Sequence, residues 1–235
     1  MSRTKAAAGP IELTVDGLSV SVERKRIKNA YLRVLPPDGR VAVSAPARFG
    51  EKEIEALVRS RMAWITTHRA KFAGYRPRAY ETGETLPYFG ETLTLNVLLQ
   101  KGRTKVERTG GQLTLTIRPD ADAPARKRAV DAWYRKELTT AARLELPACE
   151  ATVGRRAAEL RVRDMKTRWG TCNPKTACVT VSLRLAERPR ECLRYVLLHE
   201  LCHLREAGHG KRFWLLMDKY CPDWKRIRNL LREPA

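Results

Sequence analysis

Apolar and polar positions alternate in short, β-branched runs over the first part of the chain. Ile11–Val15, residues 18–22, Tyr31–Leu35 and residues 41–44 are predicted strands, separated by the turn pairs Asp16-Gly17 and Asp38-Gly39. At residue 51 the period changes. Ile54, Leu57, Val58, Met62, Ile65, His68 and Phe72 recur every three or four positions, predicting one long helix over 51–72 between Phe49-Gly50 and Gly74. His68 falls on its apolar side and is expected to pack. Strand patterning returns over residues 86–99 and Gln112–Ile117, with Gly110-Gly111 as a turn between them.

The segment Asp120-Ala121-Asp122-Ala123-Pro124 marks an expected boundary, giving a β-rich region with one long helix over 1–122 and a second domain over 123–235. Val130, Trp133, Tyr134, Leu138, Ala141 and Leu144 form the stripe of a helix that Pro147 is expected to end or bend. Residues 165–172 and 177–183 predict a β-hairpin about Asn173-Pro174-Lys175-Thr176, and the chain beyond Pro189 reads as helical. Residues 193–204 are apolar nearly all round, as in a buried helix. The fold class is therefore α+β: an N-terminal β-rich region followed by a mostly helical core with a β-hairpin, without an evident internal repeat.

Composition narrows the picture. With 235 residues, 43% hydrophobic and 31% charged, the chain can bury a sizeable core and is neither a disordered tail nor a membrane protein. Its longest apolar runs, such as residues 95–99 and 195–198, are too short to span a bilayer. The first fifteen residues lack a secretory apolar core, so a cytoplasmic location is expected. All six cysteines lie in the second half without a C-x-x-C pair, which suits reduced, mostly buried thiols. Cys172 and Cys178 flank the hairpin turn, where they are placed either facing each other or packed as small apolar residues. The net charge of +20 favours non-specific contact with nucleic acid or nucleotides, although an arginine-rich composition of this kind also follows from a GC-rich genome.

Three of the four histidines fall within eleven residues, in His199-Glu200-Leu201-Cys202-His203-Leu204-Arg205-Glu206-Ala207-Gly208-His209. On a helix His199 and His203 project from one face about a turn apart, the spacing that grips one Zn²⁺ per chain. Glu200 sits about 100° round from His199, where it can handle the proton of a water rather than ligate. Gly208 is expected to let the chain turn back and present His209 as third ligand, with Glu206 the competing candidate. Cys202 points elsewhere on the helical wheel and is expected to pack.

A second group is Lys166-Thr167-Arg168-Trp169-Gly170-Thr171-Cys172. In extended conformation Lys166, Arg168 and Gly170 share one face, and Thr167, Trp169 and Thr171 the other. Lys166, Arg168 and Trp169 are candidate substrate-binding residues, with Arg168 suited to a carbonyl, a carboxylate or an oxyanion. Trp169 is expected chiefly in the core.

Here the sequence resembles the YgjP-like metallopeptidases, a bacterial family related to SprT-like proteases. The resemblance lies in Arg168-Trp169-Gly170-Thr171-Cys172, residues 179–185 and 195–204, His209, Phe213-Trp214 and Pro222-Asp223. Weaker similarity at residues 31–34, Trp64-Ile65 and residues 86–90 extends it over nearly the whole chain. It implies a zincin-like metallopeptidase core, His199, His203 and His209 as zinc ligands, and Glu200 as catalytic base. The interval from His203 to His209 equals that of metzincins, but Glu206 stands where their glycine would fall.

Peptide hydrolysis, on a peptide or protein substrate, is the leading expectation. A metal-dependent nucleotide phosphohydrolase, with Lys166 and Arg168 on phosphates, and a nucleic-acid-associated protease or binding module are the alternatives. For the last, residues 155–168 carry six basic side chains against Glu159 and Asp164, with only Trp169 beside them for stacking.

Overall fold

The computed structural model describes residues 10–35, 38–70, 72–73 and 78–232. The chain forms two compact units, Met1–Pro77 and Arg78–Ala235. The α+β class holds.

In the first unit, β1 (Ile11–Val15) and β2 (Leu18–Lys25) form a hairpin, and β3 (Tyr31–Leu35) and β4 (Arg40–Pro46) complete a sheet of order β1-β2-β4-β3. The turn between β1 and β2 needs positive φ at both central residues, and Asp16 and Gly17 adopt 49° and 78°. β2 and β4 run parallel with Val20 opposite Val41, so their alternate valines reach one face. There they meet Ile54, Val58 and Ile65 of α1 (Glu51–Ser60) and α2 (Met62–Ala70). The helix predicted over 51–72 is thus two. The Arg61 N–H bonds the Val58 carbonyl in a tight turn, breaking the register between them. His68 stacks on Trp64 at 3.9 Å, the packing role expected of it.

The second unit opens with the same topology. β5 (Thr85–Tyr88), β6 (Glu91–Leu99), β7 (Lys105–Thr109) and β8 (Gln112–Ile117) form a sheet of order β5-β6-β8-β7, with β6 and β8 parallel and β7 antiparallel to β8. Residues 86–99, where strand patterning returns, are a hairpin about Phe89 and Gly90, both at positive φ. Differing turn residues conceal this repeat in the sequence: the first turn is Asp-Gly and the second Phe-Gly.

The boundary expected at 122/123 falls at 77/78 instead. Leu86, Leu93, Leu95, Leu113 and Leu115 share one core with α3 (Ala123–Val153) and the helices that follow. The Tyr134 hydroxyl donates to the Pro87 carbonyl at 2.6 Å, and Tyr88 donates to Glu137 at 2.8 Å. Asp122 caps α3 by accepting from the Ala125 N–H, so this segment is the start of a helix and not the border between the two units. Pro147 does not end α3, which runs on to Gly154 at φ 65°.

A smaller sheet follows, of order β10-β11-β9, from β9 (Glu159–Arg163), β10 (Gly170–Asn173) and β11 (Cys178–Ser182). β9, parallel to β11, is a strand that the sequence reading missed. In the hairpin register Asn173 lies opposite Cys178 and Cys172 opposite Val179, so the two thiols do not face each other. After a 3₁₀ turn (Leu183–Glu187) come α4 (Arg190–Cys202), α5 (Lys211–Tyr220) and α6 (Trp224–Leu230). α4 is buried along nearly its whole length, with Leu193, Leu197 and Leu201 inaccessible and Cys202 packed among them. No helix among the described residues is long and apolar enough to cross a membrane.

Candidate metal centre

α4 supplies His199 and Glu200 and ends at Cys202, with His203 as its cap. The chain leaves the helix over residues 203–206, where Leu204 and Arg205 donate to carbonyls three residues back. Gly208 is not the pivot that the sequence suggested: its φ is not left-handed, and a Cβ there would meet nothing within 4 Å. Arg205 anchors the turn by donating from Nε to the Val153 carbonyl at the end of α3, 2.7 Å away.

This turn returns His209 to the helix face. Ligand nitrogens of His199, His203 and His209 all lie within 4.8 Å of one another, and Nε2 of His199 is 2.9 Å from Nε2 of His209. Nitrogens bound tetrahedrally to one zinc stand about 3.3 Å apart, so the cluster has the size of a single-ion site. His203 Nδ1 is 3.2 Å from the Glu206 carbonyl, which as acceptor orients the ring and leaves Nε2 as a lone pair. Glu206 therefore enters through its backbone, and its carboxylate stands outside the cluster.

Phe213, inaccessible to solvent, floors the group. Its ring lies 4.7 to 4.8 Å from all three imidazoles and stacks on that of His203. Burial, with the neighbouring His203, His209 and Arg228, pushes the His199 imidazole down to about 3, and burial also lowers His209. The His199 and His209 rings are thus held as neutral donors. Among the described residues His199 Nδ1 is buried without a hydrogen-bond partner. Neutral imidazoles crowded nitrogen to nitrogen on an apolar floor fit a borderline-soft divalent cation.

Glu200 is 5% exposed, and burial pushes its carboxyl up to about 8, against the opposing charge of Arg168. Its neighbour is Gly170, the first residue of β10. A Cβ at Gly170 would lie 2.5 Å from Glu200 Oε1 and 2.7 Å from Val196 Cγ1, so only glycine permits this approach of strand and helix. Strand alternation alone puts Gly170 on a face with Lys166 and Arg168 and gives it no role. A glycine inside a predicted strand was the available signal.

The strand alternation expected over residues 166–171 applies only from Gly170, since residues 164–169 are irregular. Arg168 is exposed and acts on Glu200 through its charge. Trp169 is half-buried between two guanidiniums, with Arg184 at 4.5 Å and Arg188 at 5.4 Å from its ring centre, which favours support over substrate stacking. Lys166 is exposed and, among the described residues, shares no hydrogen bond or ion pair with the cluster. Within the basic run, Arg161 is paired with Glu159.

Among solved structures the chain is similar to the crystallised zymogens of two archaeal metallopeptidases. Abylysin of Pyrococcus abyssi matches with 23% identity over 38% of this chain and 90% of its own, at a TM-score of 0.36. Jannalysin of Methanocaldococcus jannaschii matches with 18% identity over 39% and 87%, at 0.35. Comparison with curated protein sequences finds no match. The family profile described as "YgjP-like, metallopeptidase domain" matches residues 28–234, spanning the chain from β3 onward with the histidine cluster and Glu200. The chain belongs to the YgjP-like metallopeptidase family and is a hydrolase of that type.

Proposed function

We propose that the protein is a zinc-dependent peptidase in which His199, His203 and His209 hold one Zn²⁺ and Glu200 moves the proton. The observation that carries this reading is the convergence of three imidazoles beside one buried carboxylate. Zinc, when bound, supplies the Lewis acidity that acidifies a water and polarises the substrate carbonyl.

The chain's own residues do the rest. The Glu206 carbonyl holds the His203 ring, while Phe213 keeps bulk water from beneath the cluster. Glu200, raised into the neutral range by burial, accepts a proton from the attacking water through its carboxylate and returns it to the leaving amine. Arg168, acting on Glu200 from the segment before β10, is suited to steady the substrate carbonyl. β10 is an edge of its sheet and lies against α4, so a peptide can add along it as a further strand. Six free thiols support the expected reducing, cytoplasmic setting.

The deciding experiment combines elemental analysis with peptide turnover on untagged protein. About one zinc per chain is expected in the wild type and in Glu200→Gln, and none in His203→Ala. Turnover falls by about 10²–10⁴ in Glu200→Gln. Zinc retained in His203→Ala, or full turnover in Glu200→Gln, overturns the reading. Release of pyrophosphate from nucleoside triphosphates in place of peptide cleavage moves the same site to phosphohydrolysis.

A further inference from the structure

A fixed cation borders the histidine cluster from α6. Arg228 lies over two indoles, 5.5 Å from the ring centre of Trp214 and 5.9 Å from that of Trp224, and the indoles stack on each other at 4.4 Å. Trp214 in turn lies 5.8 Å from the His209 ring and 6.4 Å from that of His199. The charge of Arg228 reaches His199, His209 and Tyr195, whose ring is 5.9 Å from that of His199.

Its neighbour on the same helix is treated differently. Arg226 is held by both carboxylate oxygens of Glu191, at 2.9 and 2.5 Å. Among the described residues Arg228 joins no ion pair and no hydrogen bond; its partners are the two aromatic faces. A positive charge beside a divalent-cation site raises the energy of the bound ion, so metal binding gives no reason for Arg228. An anion arriving with the substrate offsets both charges. Stacking on the indoles orients the guanidinium for planar, bidentate contact with a carboxylate.

We propose that Arg228 is a specificity residue that receives a substrate carboxylate next to the scissile bond. The favoured substrates are then peptides carrying an acidic side chain beside the cleaved bond, or ending there in a free C-terminus. This inference rests on the peptidase reading of the same site.

The test uses zinc-loaded full-length protein and a peptide that it cleaves, resynthesised in matched pairs: Glu against Gln on either side of the cleaved bond, and free C-terminus against amide. The carboxylate member of one pair is expected to show about tenfold higher kcat/KM, mostly through KM, and the pair that responds identifies the source of the carboxylate. Arg228→Gln brings that ratio close to one, and Arg228→Lys leaves an intermediate ratio. Because the ratio is internal to each variant, a general loss of activity does not mimic this result. Ratios near one in the wild type, or a ratio that persists in Arg228→Gln, overturn the proposal.

If the wild type cleaves no peptide, the peptidase reading fails, and binding decides the carboxylate proposal separately. Titration of zinc-loaded Glu200→Gln protein with N-acetylated peptides in the same two matched pairs, Glu against Gln and free C-terminus against amide, followed by calorimetry, is expected to favour the carboxylate member of one pair about tenfold. Adding Arg228→Gln should abolish that difference. Equal binding within both pairs by Glu200→Gln overturns it.

Discussion

Glu200 faces the backbone of Gly170 so closely that a single methyl group on Gly170 would stand 2.5 Å from its Oε1. The buried carboxylate is thereby seated against a strand rather than against another side chain. Gly170→Ala is expected to cost about 1–3 kcal/mol by overpacking. A displaced carboxylate also lowers kcat/KM by about 10²-fold, while zinc content stays at one per chain. Thermal melts, elemental analysis and turnover on the same preparation check all three.

Arg205 joins the end of α3 to the turn that brings His209 back. Arg205→Ala removes a charge-assisted bond at a partly exposed position, so the expected loss of stability is about 1 kcal/mol. The larger effect falls on the metal. The turn that carries the Glu206 carbonyl to His203 loses its anchor, and competition with a chromophoric chelator should show weaker zinc affinity.

Removing zinc is expected to lower stability through the histidines that are brought together only in the folded chain. With free zinc about a thousandfold above the dissociation constant, the bound ion adds about 4 kcal/mol. Excess chelator is expected to lower Tm in the wild type and to leave the Tm of His203→Ala unmoved.

Glu187 provides a pH-dependent contribution away from the metal. Burial raises its carboxyl above the ordinary value, overcoming the nearby guanidiniums of Arg78, Arg188 and Arg184. A carboxyl with a raised folded-state pKa stabilises most while protonated. Its contribution is complete below the unfolded value near 4.5 and is lost as pH rises through the folded value. The Tm of Glu187→Gln, which keeps the neutral shape, should therefore gain on that of the wild type as pH is raised from 4 towards neutrality.

The histidine cluster was legible because its signal is local. His199 and His203 share a helix face by spacing alone, and the alternation of Val20 and Val22 with serines marks β2 equally plainly. What escaped depends on partners distant in sequence. β9 reads as an arginine-rich stretch until its Leu160 and Val162 are set beside β11. The role of Gly170 exists only once α4 lies behind it, and Arg228 is an ordinary basic residue until α6 carries it over Trp214. The units divide at 77/78 and not at 122/123 for a related reason: the second sheet shares its core with α3, a packing that the segment around Asp122 does not display.

The repeated sheet order has a consequence for biosynthesis. Each four-stranded sheet closes within a short stretch of chain, 11–46 in one unit and 85–117 in the other, so its contacts are local and quick to form. The histidine cluster needs Phe213 of α5, far downstream of both. A chain made from its N-terminus can thus assemble its two sheets before its hydrolytic centre exists, and it gains the capacity to cut peptides only as the last helices emerge from the ribosome.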